Sequence, residues 1–257
     1  MSITWDPNRY DALPLPHEQW GIGVIDGLTL RGDETLIDAG CGSGRDALTA
    51  REGLSEGRII GLDASPTMRE AFSHRFEGDE KVEVREADLM QPWPVDEGCA
   101  DAVMSVAAFH WLPDHASTWQ QVARALRPGG RVRIDAGGQG NLTRLLGAVE
   151  QVGASDLLPE WNYAGVDDTL ANLRMAGLTP VEVRLRDAPA YFDDDETYAA
   201  YLADVVLHRL SDEQRARVAS VMGDRCVDYV RLEVMAVKPR EESESDSPTR
   251  NHFRRED

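Results

Sequence analysis

Along the first half of the chain, short apolar runs alternate with stretches of helical periodicity. The runs at 34–37, 58–62, 82–85, 102–106 and 131–134 are bounded by turn-forming or charged residues and predict strands. Between them, 45–52, 66–76 and 115–126 carry apolar residues at the spacing of one helix face. Regular alternation of this kind predicts an α/β fold, a doubly wound, Rossmann-like and mostly parallel sheet with helices on both faces. The run Arg127-Pro-Gly-Gly ends the third of these helices and turns the chain into the fifth strand.

Beyond Gly140 the pattern changes. A helix is predicted over 141–152, an aromatic-bearing loop over 155–166, and a helix over 167–176 closed by Gly177. Two further strands, 180–185 and 226–237, bring the total to seven, with helices at 194–210 and 211–223 between them. Residues 240–257 hold too few apolar side chains to bury anything and are expected to be a disordered acidic, polar tail, leaving 1–239 as one domain.

Charge narrows the range of partners. The sequence has 46 acids against 27 bases, a net charge of −19, and its only lysines are Lys81 and Lys238. Nucleic acids and anionic membranes bind through Lys and Arg that neutralise phosphate, so neither is expected as a partner. Acid-rich, lysine-poor composition suits a salt-loving, halophilic source, because salt screens self-repulsion. No window approaches the roughly 18 apolar residues of a membrane span, and the N-terminus lacks the basic and apolar regions of a secretory signal; a cytoplasmic protein is expected. Cys41, Cys99 and Cys226 lie far apart without a CxxC pair, which predicts neither disulfide framework nor zinc site. His110, Asp114 and His115 also make a poor metal set, since Leu-Pro between the histidines breaks a helix.

The most informative stretch is LIDAGCGSGRDAL, residues 36–48. A strand running through Gly40, Gly42 and Gly44 into a helix lets backbone amides approach a ligand closely. The same loop serves a nicotinamide dinucleotide, S-adenosylmethionine (SAM), or a merely structural turn. In the dinucleotide fingerprint GxGxxG the last glycine would fall on Arg45, so that register fails. Asp63, at the end of the second strand, suits ribose hydroxyls in either cofactor. Asp88, after the third strand, suits an adenine amino group. Asp38, before the glycines, favours a ligand with an ammonium and a sulfonium over a pyrophosphate.

In order and spacing, DAGCGSG, GLDASPTM, READL, AVMSVAAFHWLPDH and LRPGGRVRID resemble the successive motifs of class I SAM-dependent methyltransferases. WDPNRYDALPLPHEQWG, WNYAGVDDT and DYVRLEVMAVKP add a similarity to the trans-aconitate methyltransferase-like branch, and the resemblance runs from Trp5 to Pro239. It implies an antiparallel last strand and the cofactor SAM, with S-adenosylhomocysteine (SAH) as product. It also implies that Gly40, Cys41, Gly42 and Gly44 turn around the methionyl part and that Asp38 orients the ammonium, directly or through water. Asp63 would take the ribose, Ala64 and Met68 the adenine, Asp88 and Leu89 the adenine edge. Ala107 would face the methionyl end, and Tyr10, with Gln19, would help cover the cofactor.

The acceptor is expected to be a small molecule, above all a carboxylic acid taking the methyl on oxygen. N- or C-methylation of another metabolite, a SAM-binding protein without catalysis, and a NAD-dependent oxidoreductase are the alternatives. His110 has three readings: catalytic base, hydrogen-bond donor, or packed structural side chain. Trp111 would be an aromatic wall or a cation-binding face. Segments 138–165 and 190–223 have no part in binding SAM and would form a small helical lid, with Trp161 and Tyr163 lining the acceptor. Arg144, Arg174 and Arg209 are the candidates to clamp a carboxylate. A monomer or homodimer is expected.

Overall fold

A computed structural model describes residues 17–240, so Tyr10 and all but the first residue of the expected tail lie outside the described residues. Its centre is a seven-stranded sheet. Strands β1 (Thr35–Ala39), β2 (Arg58–Asp63) and β4 (Ala100–Val106) are buried along nearly their whole length, as parallel strands covered on both faces must be. Alternate side chains feed two cores: Leu36 and Met104 enter the one that contains Trp20, Phe72 and Tyr201, while Ile37 and Val103 enter the one that contains Trp119, Val132 and Ile134. Strand β3 (Val82–Glu86) closes one edge with charged Glu83 and Arg85, which blunt it against further pairing.

With β5 (Leu126–Gly137), β6 (Thr179–Asp187) and β9 (Val230–Val237), the strand order is β3-β2-β1-β4-β5-β9-β6. The last strand, β9, runs antiparallel to both its neighbours, as expected. The order reverses between β1 and β4, and the carboxyl ends of these two strands therefore open a crevice. Eight α-helices occur among the described residues: α1 (His17–Leu28), α2 (Arg45–Glu52), α3 (Pro66–Arg75), α4 (His115–Ala125), α5 (Thr143–Val152), α6 (Val166–Met175), α7 (Asp195–Tyr201) and α8 (Asp212–Met222). Helix α1 was not expected from the periodicity. Its end is tied to the sheet through Arg131, which donates to the carbonyls of Leu28 and Thr29 and to the buried Glu34 carboxylate. Burial pushes that carboxyl up, yet bonds from Arg131 and Arg31 outweigh it and hold it at about 2.

Four local departures bear on the site. Extended backbone begins at Leu126, opposite Ala100, and resumes pairing at Arg131, opposite Ala102, so residues 127–130 bulge out inside β5 instead of preceding it. The helix expected from 141 starts at Thr143, because Leu142 has φ +59° and Asn141 is engaged with its carboxamide oxygen accepting the Val230 N–H. The helix expected over 194–210 continues from α7 as a π-helical turn, Leu202–Val206, in which the Leu207 N–H reaches back to the Leu202 carbonyl. The strand expected over 226–237 divides: β8 (Cys226–Val227) pairs with β7 (Ala190–Tyr191) in a separate ribbon, and only β9 joins the sheet. Among the described residues no helix is long and apolar enough to cross a membrane.

Candidate functional site

From the end of β1 the chain turns through Gly40, Gly42 and Gly44, with φ of +80°, +53° and +85°, into α2. The three glycines answer to different neighbours. A Cβ on Gly40 would lie 2.4 Å from that of Ala108, whereas one on Gly42 would meet nothing within 4 Å, so its face is open. At Gly44 a Cβ would sit 2.7 Å from the Phe72 ring. Gly44 therefore seats α2 against α3 and does not line the cavity, a correction to its expected ligand contact. The turn is locked from β2. Gly40 and Cys41 donate to the Leu62 carbonyl, and the Asp63 carboxylate accepts the N–H of Gly42 at 2.9 Å and that of Ser65 at 2.8 Å. Burial pushes the Asp63 carboxyl up, and those two amides with Arg69 oppose it. Burial and nearby acids push the Cys41 thiol well up, away from a reactive thiolate.

Above this turn lies a cavity of about 450 Å³, within the range of small-molecule sites. One end is lined by Gly42, Asp63, Ala64, Met68, Asp88 and Leu89, with Gly40, Cys41 and Ala107 beside them. Ala107 has φ +55°, strained for a residue with a side chain, and its N–H donates to the Asp135 carbonyl. Asp38 is the second departure. It is 2% exposed, stands behind this wall instead of lining it, and its Oδ2 has no hydrogen-bond partner. Burial, then Asp46 and Asp63, push its carboxyl well up. An orphaned buried acid behind an open glycine turn fits a ligand that brings a positive charge. Gln19, on α1, is exposed.

The other end is aromatic. A single turn, Phe109–Trp111, follows β4 and carries His110 and Trp111 into the cavity, where Trp161 and Tyr163 from the segment after α5 meet them. Ring centres are 5.4 Å apart for His110 and Trp111, 6.1 Å for His110 and Tyr163, and 5.8 Å for Trp161 with each of Trp111 and Tyr163. Asn162 fastens the two segments: its N–H donates to the His110 carbonyl and its Nδ2 to those of Leu112 and Pro113. Leu142, Val205 and Val206 complete this end from the π-helical turn and the start of α5. His115 is anchored to the Phe109 carbonyl and Asp114 caps α4, so both suspected ligands have structural duties. Among the described residues no three His, Cys, Asp or Glu side chains converge to hold a metal.

The half-buried His110 has its Nδ1 engaged by the N–H of Gly137 at 3.2 Å. Burial, then the charges of Arg231 and His115, push the imidazole well below its ordinary value. It is therefore neutral at pH 7, with its proton on Nε2 as the accepting role of Nδ1 requires. Burial raises the Tyr163 phenol far above its usual value, so it too is neutral.

Arg231 was missed by the sequence reading. It lies on β9 opposite Gly137, is 1% exposed and lines the cavity. Its Nε and Nη2 stand 2.7 and 2.6 Å from Asp135 Oδ1, and its guanidinium carbon lies 3.7 Å from the centre of the Trp20 ring. None of the three arginines expected to clamp a carboxylate lines the cavity: Arg144 pairs with Asp224, and Arg174 and Arg209 are exposed. An arginine amid the apolar run of β9, with an acid at the end of the apolar run of β5, was the available signal.

Residues 37–134 match a family described as a methyltransferase domain. The chain is 32% identical over 135 residues to trans-aconitate 2-methyltransferase of Azoarcus sp. (strain BH72), covering 51% of this chain and 50% of that protein. It is 34% identical over 125 residues to malonyl-[acyl-carrier protein] O-methyltransferase of Hahella chejuensis, covering 48% and 43%. The chain thus spans half or less of the length of these curated relatives. In fold it is similar to the YcgJ protein of Bacillus subtilis, with TM-score 0.65 at 16% identity over 88% of this chain and 100% of that one. A putative methyltransferase from Bacillus halodurans gives 0.65 at 17% identity, over 85% and 98%. Residues 37–134 thus match a methyltransferase domain, and in the order of its motifs and the topology of its sheet the chain is similar to the class I SAM-dependent methyltransferases.

Proposed function

We propose that this protein transfers a methyl group from SAM to the carboxylate of a small molecule. Asp63 and Asp88 are the groups to hold the donor at its ribose and adenine, and Asp38 acts on its ammonium from behind the glycine turn. Each Asp63 oxygen accepts one backbone amide and keeps a lone pair for a ribose hydroxyl. Ala64, Met68 and Leu89 give the adenine an apolar bed, and Gly40, Gly42 and Ala107 leave backbone facing the methionyl end. When bound, SAM supplies a methyl carbon on a sulfonium; transfer to a carboxylate forms one O–C bond, breaks one C–S bond with its electron pair left on sulfur, and moves no proton.

The observation that carries the choice of nucleophile is the state of His110. With Nδ1 occupied and Nε2 protonated it donates a hydrogen bond and accepts no proton. An amine, thiol or phenol would need a base here; a carboxylate arrives ionised. Segments 138–165 and 190–223 serve as the lid that excludes water and holds the acceptor in line. The charge balance supports a salt-rich cytoplasm as the working environment.

Calorimetry with SAH tests the donor half. Binding is expected for the native chain, with Asp63→Ala weakening it about tenfold or more while circular dichroism stays unchanged. No heat with either SAM or SAH would refute the reading. For the acceptor half, methyl-labelled SAM is incubated with a panel of carboxylic acids and amines; label on amines alone would overturn carboxylate methylation.

A further inference from the structure

The aromatic end of the cavity carries a charge count that its size alone does not reveal. Its walls are Trp111, Trp161, Tyr163, Leu142, Val205 and Val206, and the full positive charge that the described residues bring to this end is Arg231, Arg45 lining the opposite end. That charge is already balanced by Asp135 at 2.6 Å, and Trp20 covers the guanidinium at 3.7 Å. Nη2, itself buried, nonetheless has no hydrogen bond of acceptable geometry, so an unsatisfied donor remains on an arginine that lines the cavity. His110 adds a donor without charge. The acceptor end is thus formally neutral, rich in ring surface, and equipped with two donors.

A buried apolar wall tolerates a carboxylate only if something compensates it. Resting on the methyl-transfer reading above, bound SAM brings one net positive charge, enough for one carboxylate. Each further carboxylate would lie uncompensated beside apolar walls, in a chamber whose other end already presents Asp63 and Asp88, with Asp46 paired to Arg45.

We infer that the acceptor is a monocarboxylate with a flat or apolar body, which the Arg231–Asp135 pair orients and selects over di- and tricarboxylates. Arg231 supplies directed N–H groups, and Asp135, as a positioning residue, removes the surplus charge that would welcome a polyanion.

Calorimetry on the protein saturated with sinefungin, a SAM analogue whose ammonium replaces the methylated sulfonium and which transfers no methyl, tests this with two probes, cinnamate and trans-aconitate. Cinnamate is expected to bind at least tenfold tighter. Asp135→Asn, which leaves the arginine uncompensated, is expected to move the ratio of the two affinities at least tenfold toward trans-aconitate. Arg231→Lys, which keeps the charge and loses the fork, is expected to weaken cinnamate about tenfold. Equal or tighter binding of trans-aconitate to the native protein overturns the inference, as does a ratio that stays put in a folded Asp135→Asn protein. Should either variant fail to fold, the native ratio decides alone. If sinefungin binds and cinnamate does not, the inference falls while the methyl-transfer reading stands; if neither sinefungin nor SAH binds, both fall.

Discussion

A carboxyl group buried with an unpartnered oxygen is expensive when ionised, and burial with the nearby Asp46 and Asp63 pushes the Asp38 carboxyl well up, toward its protonated form. A cation placed beside it reverses the preference. Binding of SAM or SAH is therefore expected to release a proton from Asp38 and to tighten with rising pH, levelling off once pH exceeds the raised value of the free protein. Titrations in two buffers of different ionisation heat measure the release, and Asp38→Asn should abolish it. Equal heats in both buffers would separate Asp38 from the ligand's ammonium. The acids and glycines of this end were legible because their demands are local: a positive φ, or an acid at a strand end. Arg231 was not, because its meaning depends on Asp135, Gly137 and Trp20, which are distant in sequence and adjacent only across strands and a helix.

Strands and helices differ in how openly the sequence announces them. The buried parallel strands are continuous apolar runs, and their positions match the expected ones to within a few residues. The two-residue strands β7 and β8 are too short to carry any period, and the π-helical turn keeps the apolar spacing of a helix, so neither was visible. Gly44 shows how an element junction can be misread. Its left-handed φ and the 2.7 Å approach of Phe72 make Gly44→Ala a clash and a strained backbone together. A loss of roughly 2–4 kcal/mol is expected from those two costs, read as a lower Tm. A variant that kept its Tm and lost only SAH affinity would return Gly44 to a ligand-binding role.

The whole molecule is governed by its net charge of −19. Its exposed ion pairs, such as Arg58 with Glu83 and Lys81 with Glu56, are each worth little, and acids outnumber bases by 19. Screening the residual repulsion is expected to stabilise the fold. Raising potassium chloride from 0.1 to 1 M shortens the Debye length from about 10 to about 3 Å and should add roughly 1–2 kcal/mol, a Tm rise of about 2–8 °C. Chloride is the proper test, since sulfate strengthens apolar burial in any protein. A flat or falling Tm would remove the high-salt reading.

The family match ends at residue 134, whereas Gly137, Leu142, Trp161, Tyr163, Val205 and Arg231 all lie beyond it. On the proposed reading most of the acceptor end thus lies outside the matched stretch, with His110 and Trp111 just after β4 contributed from within it. Chimeras that graft residues 109–240 of this chain onto the nucleotide half of a relative should inherit this chain's taste in acceptors while keeping the relative's grip on the donor.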